Sequence, residues 1–392
     1  MIKKKDWILM FEAMAILVGT IIGGGVFVLP YMNIKSGIVM TNIWLVILCA
    51  MVCLLHLIFG EIILKTKDEM KLPGYAGKYL GKTFKKFLNF VSVFSIAFSL
   101  LIYIVLADKF IKIILGNNLL IFQPYLFILI WLVLNVFLLF KLSDASRINF
   151  VLTIVEVGLM IVLAILCFGK VNFYGVDYVN LSFSPVWYSS YGVIFFAIDG
   201  LVAMPMMFMF LKHKKASKTV YKKAVIWSFV FIFLVFFVFM NSVSLLSSRG
   251  TSIDAINGLV PFLGKNITIL GSVAGLFAVL TSYIVIVNYF KDMLRCDVGY
   301  SKLWSIFLSM FLPLVFLLIG TKKLDDIMSL VGGIIGGMIA VVVLLAYQKI
   351  KNKNKQTAPY NLNLSKWLLI IIGSVCFVGA ISQIILRMFH LE

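Results

Sequence analysis

The chain alternates long apolar stretches with short polar ones, and the apolar stretches exceed the length of globular helices. Runs of about 18 or more apolar residues mark membrane-spanning helices. Eleven spans are predicted, at about residues 8–32, 39–64, 87–113, 123–140, 148–168, 186–210, 224–246, 267–290, 303–320, 326–347 and 367–388. No soluble domain interrupts them, and the longest connections are 65–86, 169–186, 247–266 and 348–366. The last, rich in Lys and Asn, reads as a solvated linker between a ten-span body and one extra C-terminal helix. The segment 250–265 mixes Ile253, Ile256, Leu259, Val260 and Leu263 with polar residues. That pattern predicts a short helix over one mouth of the bundle, limited by Gly258 and Pro261.

Two spans break the apolar pattern in the same way. Span one carries Gly19-Thr-Ile-Ile-Gly23-Gly24-Gly25-Val-Phe-Val-Leu-Pro30, and span six carries Phe195-Phe196-Ala197-Ile198-Asp199-Gly200-Leu-Val-Ala-Met-Pro205. In lipid a helix must satisfy its own backbone N–H and C=O groups. A glycine cluster followed by proline gives some of those bonds up, which suits a segment lining a polar cavity. Spans one and six each open a five-span block, and an odd block length makes the second enter the membrane from the opposite side. Broken helices at matching positions of two inverted halves point to a midplane substrate site. The expected organisation is therefore a first repeat over 1–168, an inverted second repeat over 186–347, and an additional span at 367–388.

Composition agrees: 62% of residues are hydrophobic and the mean hydropathy is +1.08, far above the roughly 45–50% apolar usage of soluble domains. A secretory signal does not fit residues 1–32, because the run is too long and its glycines sit mid-run. The net charge of +19 invites a nucleic-acid reading, but the charges occupy short loops between spans, where topology and anionic lipid explain them. No nucleic-acid partner is expected; the partner is the lipid bilayer. Most basic residues, including Lys3 to Lys5, the 65–86 and 212–223 loops, Lys141, Arg147, Lys291, Arg295, Lys302 and the Lys349–Lys366 stretch, fall on one side. The positive-inside rule then places the N-terminus in the cytoplasm and the C-terminal Leu391-Glu392 outside. Compact loops suggest a prokaryotic plasma membrane. The five cysteines, without a CxxC pair, indicate neither a disulfide framework nor a zinc site.

With these features the chain resembles the amino acid–polyamine–organocation transporter superfamily, closest to the branch of aromatic and neutral amino acid permeases. The two broken segments carry the resemblance, with Thr281-Ser-Tyr-Ile-Val, Lys291-Asp-Met-Leu-Arg-Cys-Asp297 and, more weakly, Ser329-Leu-Val-Gly-Gly-Ile-Ile-Gly. It covers about residues 7–347. It implies an inverted five-plus-five fold, alternating access, and cotransport of an amino acid with a cation. Many relatives carry an acid just after the proline of span six, where this chain has Met206 and Met207.

A zwitterion needs opposite partners close together. Free N–H groups where the second half of span one restarts, at Gly23, Gly24 and Gly25, suit a carboxylate. Carbonyls released at Phe195, Phe196 and Ala197, with those near Gly19 and Thr20, would accept from an α-ammonium. Asp199, beside Gly200, has three available roles: contacting the ammonium, capping the following half-helix, or taking a proton. Tyr103 either adds a hydroxyl to the carboxylate, as the resemblance implies, or packs between helices. Phe195, Phe196 and Phe27 are candidate walls, against a background of 35 phenylalanines.

Thr281 and Ser282 are candidate Na⁺ ligands with carbonyls of span one, a pair that relatives also place there, unless they bond back to their own helix. Glu156 in span five offers proton coupling instead, since ionisable groups at membrane depth are costly, although its position also allows contact with the aqueous interface. Asp108 with Lys109 and Glu61 with Lys65 sit near span ends, where they snorkel or pair, and His56 reads as a lone histidine hydrogen-bonded in a helix interface rather than a proton relay. Gly332, Gly333, Gly336 and Gly337 form overlapping GxxxG pairs that suit close packing.

The expected function is secondary import of a neutral or aromatic amino acid driven by Na⁺ or H⁺, with no other cofactor. No GxxxxGK[ST] phosphate loop occurs, so ATP drive is not expected. A non-transporting amino acid receptor on the same scaffold is the alternative. An enzyme is not expected, because the intramembrane Glu156, Asp199 and His56 lie on different spans without a recurring motif.

Overall fold

A computed structural model describes residues 4–66, 68–116, 123–139, 142–171, 187–319, 323–353 and 358–388. Its elements are helices: α1 Lys4–Ile21, α2 Leu29–Lys35, α3 Ile38–Leu64, α4 Leu72–Leu80, α5 Lys82–Leu115, α6 Gln123–Asn135, α7 Leu142–Phe168, α8 Ser190–Ile198, α9 Met204–His213, α10 Lys218–Ser247, α11 Val260–Leu263, α12 Lys265–Met293, α13 Lys302–Ile319, α14 Leu324–Ser329, α15 Gly337–Lys353 and α16 Lys366–Met388. Among the described residues nine helices are long and apolar enough to cross a membrane, and the bent pair formed by α1 and α2 makes a tenth. The remaining predicted span, at 123–140, contains the 13-residue α6. The predicted 172–186 part of one connection, Lys141, and Leu391 with Glu392 lie outside the described residues.

The end of the bundle where α1 begins is called the Lys4 end, and the opposite one the Lys35 end. Both broken spans follow one backbone grammar. α1 stops at Ile21, Gly23 is extended (φ −118°, ψ −159°), and a 3₁₀ turn over Gly24–Val28 leads into α2 with Pro30 in its first turn. The axis bends by 48° there. α8 stops at Ile198, Asp199 is extended (φ −78°, ψ 127°), and a 3₁₀ turn over Leu201–Ala203 leads into α9 with Pro205 in its first turn. Proline is tolerated at a helix start, where its missing N–H had no partner to lose. The two broken helices run antiparallel. At the Lys35 end Ser36 Oγ meets Ser189 Oγ at 2.8 Å, and at the Lys4 end Ser217 N–H donates to Asp6 Oδ1 at 3.2 Å.

Around them, α12 packs between α5 and α7, and α10 covers α1 and α3. α13 is peripheral, with only 17% of its apolar window buried. The glycines of span ten pack closely as expected. Leu330–Gly336 is a π-helical segment, and a Cβ on Gly332 would collide with the Gly192 carbonyl and Phe196 N of α8. Gly81 separates α4 from α5 at φ +97°, a conformation open to glycine at little cost. α4 docks at the Lys4 end: Leu72 N–H donates to Tyr289 Oη and Gly74 N–H to Asp297 Oδ2, both at 3.1 Å.

Two sequence expectations need correction. The 348–366 connection is not simply solvated: α15 continues to Lys353, and the stretch from Ala358 onward straps down on α3. Tyr360 Oη donates to the Leu57 carbonyl (2.8 Å) and Leu362 N–H to Glu61 Oε2 (2.8 Å), with the Tyr360 ring edge-on to Phe208 at 6.5 Å. The extra helix α16 is joined to the body by polar contacts. Gln383 Nε2 donates to the Tyr188 carbonyl at 3.0 Å, Ser329 bonds Gln383 Oε1, and Arg387 reaches the Asp326 carbonyl. Asp108 pairs with Lys112 at 2.7 Å rather than with Lys109, because residues four apart share a helix face and neighbours do not. Glu61 and Lys65 pair as expected, at 2.6 Å. The 250–265 segment folds into a 3₁₀ turn at Asn257–Leu259 followed by α11, with Asp254 Oδ1 accepting from Ile256 N–H and Asn257 N–H.

Candidate functional site

The two breaks face each other in the centre of the bundle. A Cβ built on Gly25 would lie 2.9 Å from the Ala197 backbone and 3.6 Å from the Phe196 ring, and one on Gly200 would lie 2.5 Å from Ile21. The glycines are therefore used first for close approach of backbones. A Cβ on Gly23 would overlap Ser282 Oγ and sit 3.3 Å from Tyr103 Oη; one on Gly24 would meet Leu106 at 2.5 Å and the Tyr103 ring at 3.1 Å. Gly23–Gly25, Ala197, Tyr103 and Ser282 thus converge on one point, drawn from spans one, six, three and eight.

Hydrogen bonds order this point. Ser282 Oγ donates to the Thr20 carbonyl at 3.0 Å and lies 3.5 Å from the Gly19 carbonyl. Thr20 Oγ1 bonds back to the Ile16 carbonyl at 2.8 Å, so Thr20 offers its carbonyl and not its side chain. Asp199 Oδ1 accepts from Leu201 N–H at 3.2 Å, the capping geometry among the roles available to it. Phe195 packs against Gly336, and Phe196 against Gly332 and Gly25. Phe27 is fully buried, edge-on to Phe110 at 5.0 Å and Phe239 at 5.4 Å.

His56 belongs to the site, which its lone position in span two did not reveal. Its Nε2 accepts the Gly200 N–H at 3.2 Å, and its Nδ1 is 2.8 Å from the Val52 carbonyl. An Nδ1–H donated to Val52 leaves Nε2 as an acceptor, which fixes the neutral tautomer. A break leaves amides without helical partners, and an intramembrane histidine within reach of one was the available signal.

Thr281 and Ser282, adjacent in sequence, lie about 100° apart on α12, and they serve different neighbours. Ser282 reaches span one, whereas Thr281 Oγ1 lies 2.9 Å from Glu156 Oε2 on α7 and 2.9 Å from the Ala278 carbonyl. Glu156 is fully buried, away from the aqueous interface that its position also allowed: α7 turns this residue inward against α12. Glu156 Oε1 has no hydrogen-bond partner among the described residues.

At the Lys35 end a cavity of about 540 Å³ opens between α2, α5 and α14, lined by Tyr31, Lys35, Val105, Asp108, Lys112 and Asp325. A Lys35–Asp325 ion pair of 2.9 Å links α2 to α14 at this cavity.

Two interrupted antiparallel helices, pressed together at their gaps inside a polytopic helical bundle, define an inverted-repeat membrane transporter. The same fold occurs in MhsT in complex with L-phenylalanine (14% identity, TM-score 0.64, covering 97% of this chain and 98% of that one). It occurs also in Mhp1, a nucleobase-cation-symport-1 family transporter in a closed conformation with bromovinylhydantoin bound (11% identity, TM-score 0.63, covering 97% and 92%). The chain belongs to the tryptophan/tyrosine permease family, whose model matches residues 8–383. Its activity is transport and not enzymatic chemistry. No curated protein sequence matches it.

Proposed function

We propose that this permease is a secondary active importer of an aromatic or neutral amino acid in the plasma membrane, with the Lys4 end cytoplasmic. The observation that carries the reading is the meeting of the two gaps. Gly24 and Gly25 open a helical turn whose first N–H groups have no partner within it. The last carbonyls of α8, with Asp199, face the opposite pole of a zwitterion. Tyr103 Oη stands beside Gly23 to complete a carboxylate site, and the Phe196 ring, beside Gly25, is the candidate wall for the substrate's side chain. The orientation follows from the basic loops at the Lys4 end.

The coupling ion in this reading is a proton on Glu156. Thr281 has one hydroxyl proton and two acceptors in reach. The Ala278 carbonyl has no proton to give, so when Thr281 donates there the contact with Glu156 needs a proton on the carboxyl. A charged carboxylate buried without a cation would be costly, whereas the neutral acid fits. Ser282, with the carbonyls of Thr20 and Gly19, is the neutral-oxygen cluster that Na⁺ would use.

Proteoliposome uptake tests both parts. Competition across the twenty amino acids, with an imposed pH or Na⁺ gradient, is expected to show accumulation of an aromatic substrate under the pH gradient. Glu156→Gln should retain binding and lose pH-driven accumulation, because an amide cannot take up and release the coupling proton. Accumulation that follows Na⁺ alone, or a Glu156→Gln variant still driven by the pH gradient, would move coupling to Ser282. Saturable binding with no accumulation under either gradient would make the protein a receptor.

A further inference from the structure

Where α5 begins and α12 ends, at the Lys4 end, α13 leaves a groove of about 290 Å³ on the outside of the bundle. Phe290 and Leu294 form its buried floor, Val93 and Leu312 line its sides, and the exposed Phe90 and Tyr300 stand on its rims. Farther along, α13 rejoins α5 where Phe316 stacks on Phe98 at 4.5 Å, so the gap is limited to the Lys4 half of the spans. One member of this apolar lining is polar. Asn89 Oδ1 is buried and has no hydrogen-bond partner among the described residues. Buried amide oxygens are normally paired. An unpaired one on the wall of an open groove points to a partner from outside the chain.

The mouth of the groove is cationic. Lys85 and Lys86 stand one helical turn before Asn89 and Phe90 on the same face of α5, and Lys82 one turn before Lys86. On the other side Arg295 follows Leu294, and Lys302 opens α13. Arg295 and Lys302 both lie close enough to Lys291 to repel it. The neighbouring acids are already answered: Asp292 by Lys71 at 3.4 Å, and Asp297 by the Gly74 N–H at 3.1 Å and by Lys85. Lys82, Lys86, Arg295 and Lys302 are exposed and make no ion pair among the described residues. Tyr300 and the exposed Trp304 are aromatic residues of the kind that sit at headgroup depth. Topology alone accounts for basic loops. It does not account for an apolar groove with an unpaired amide beneath them.

We propose that the groove holds one anionic glycerophospholipid of the leaflet that the Lys4 end faces. An acyl chain lies over Phe290 between Val93 and Leu312, and the phosphate sits among Lys86, Arg295 and Lys302. A half turn of the Asn89 amide aims its N–H donors at the ester carbonyls where chain and headgroup join. Basic pockets between spans suit anionic headgroups. Cations and hydrocarbon offered together select an anionic lipid over a zwitterionic one with the same chains. The site goes beyond the amino acid reading and does not depend on it. It lies on the outer faces of α5 and α12, the helices that carry Tyr103 and Ser282, so a bound lipid braces them.

Native mass spectrometry of the delipidated protein in detergent tests the assignment, with dioleoyl phosphatidylglycerol, dioleoyl phosphatidylcholine and glycerophosphate as probes. The wild type should bind one phosphatidylglycerol at least about tenfold more tightly than phosphatidylcholine, and its melting temperature should rise with the first lipid alone. Lys86→Gln combined with Arg295→Gln should weaken phosphatidylglycerol about twentyfold, because each cation near a lipid surface gives about a fivefold preference. Phosphatidylcholine should bind that variant as it binds the wild type. Leu308→Trp, on the groove wall contributed by α13, should expel phosphatidylglycerol with every charge in place. Should that variant fail to fold, the exposed charge pair decides. Equal binding of the two lipids, phosphatidylglycerol retained by both variants, or glycerophosphate competing as well as the lipid would overturn the assignment. A dimer that ignores lipid and is split by Leu308→Trp would overturn it too, and give the groove to a second copy of the chain.

Discussion

At the residue scale, the site depends on polar side chains that answer backbone groups freed by the breaks. His56 illustrates this, since it holds the Gly200 amide from a neighbouring span. His56→Ala would orphan that N–H and open a cavity, and loss of a buried partner costs about 1–3 kcal/mol before any cavity contribution. The purified variant is expected to melt at a lower temperature in a thermal-shift assay. His56→Gln, which keeps an acceptor, should melt closer to wild type, and equal melting of His56→Ala and wild type would refute the bond's importance. Single residues were readable in the sequence to the extent that their surroundings were local. Glu156 was legible as a costly intramembrane acid, and Thr281 as a hydroxyl, but 125 positions separate them, so nothing in one sequence announced their contact. Asp108 with Lys112 is the opposite case, a local pair that helical spacing alone supplies.

At the scale of elements, the two interrupted spans share their order of parts: helix, extended residue, 3₁₀ turn, and a helix opened by proline. Glycine clusters and prolines mark such interruptions in sequence, so the breaks were legible. What the glycines touch was not. Gly25 faces the Ala197 backbone, whereas Gly24 faces the end of the flexible Leu106 side chain. Gly25→Ala should therefore damage yield and uptake more than Gly24→Ala does, because a side chain can turn aside and a backbone cannot. Comparable purified yield and uptake for the two variants would contradict that ranking. The strap after α15 escaped sequence reading for a related reason: Lys and Asn dominate its start, and the anchoring Tyr360 follows only after the polar run.

For the whole molecule, α16 is part of the structure and not an appendage. Its Gln383 touches both Ser329 and the Tyr188 carbonyl, while Gly379 lies against the Tyr191 ring and a Cβ on Gly337 would lie 3.0 Å from the Cys376 carbonyl. A chain ending before Lys366 would expose the Tyr191 side of span six and the glycines of span ten to lipid. Such a truncation is expected to lower the melting temperature in detergent and to reduce uptake. Wild-type behaviour of the shortened chain would show that the helix contributes no support.

The strap at the Lys4 end also bears on turnover. Tyr360 touches α3 through the Leu57 carbonyl and α9 through Phe208, so it clasps span two to the helix that follows the break of span six. If transport separates α9 from α3, the ring contact with Phe208 must open once in every cycle. One aromatic ring held to α3 by its hydroxyl would then help set the pace of turnover, independently of how tightly cargo is held at its centre.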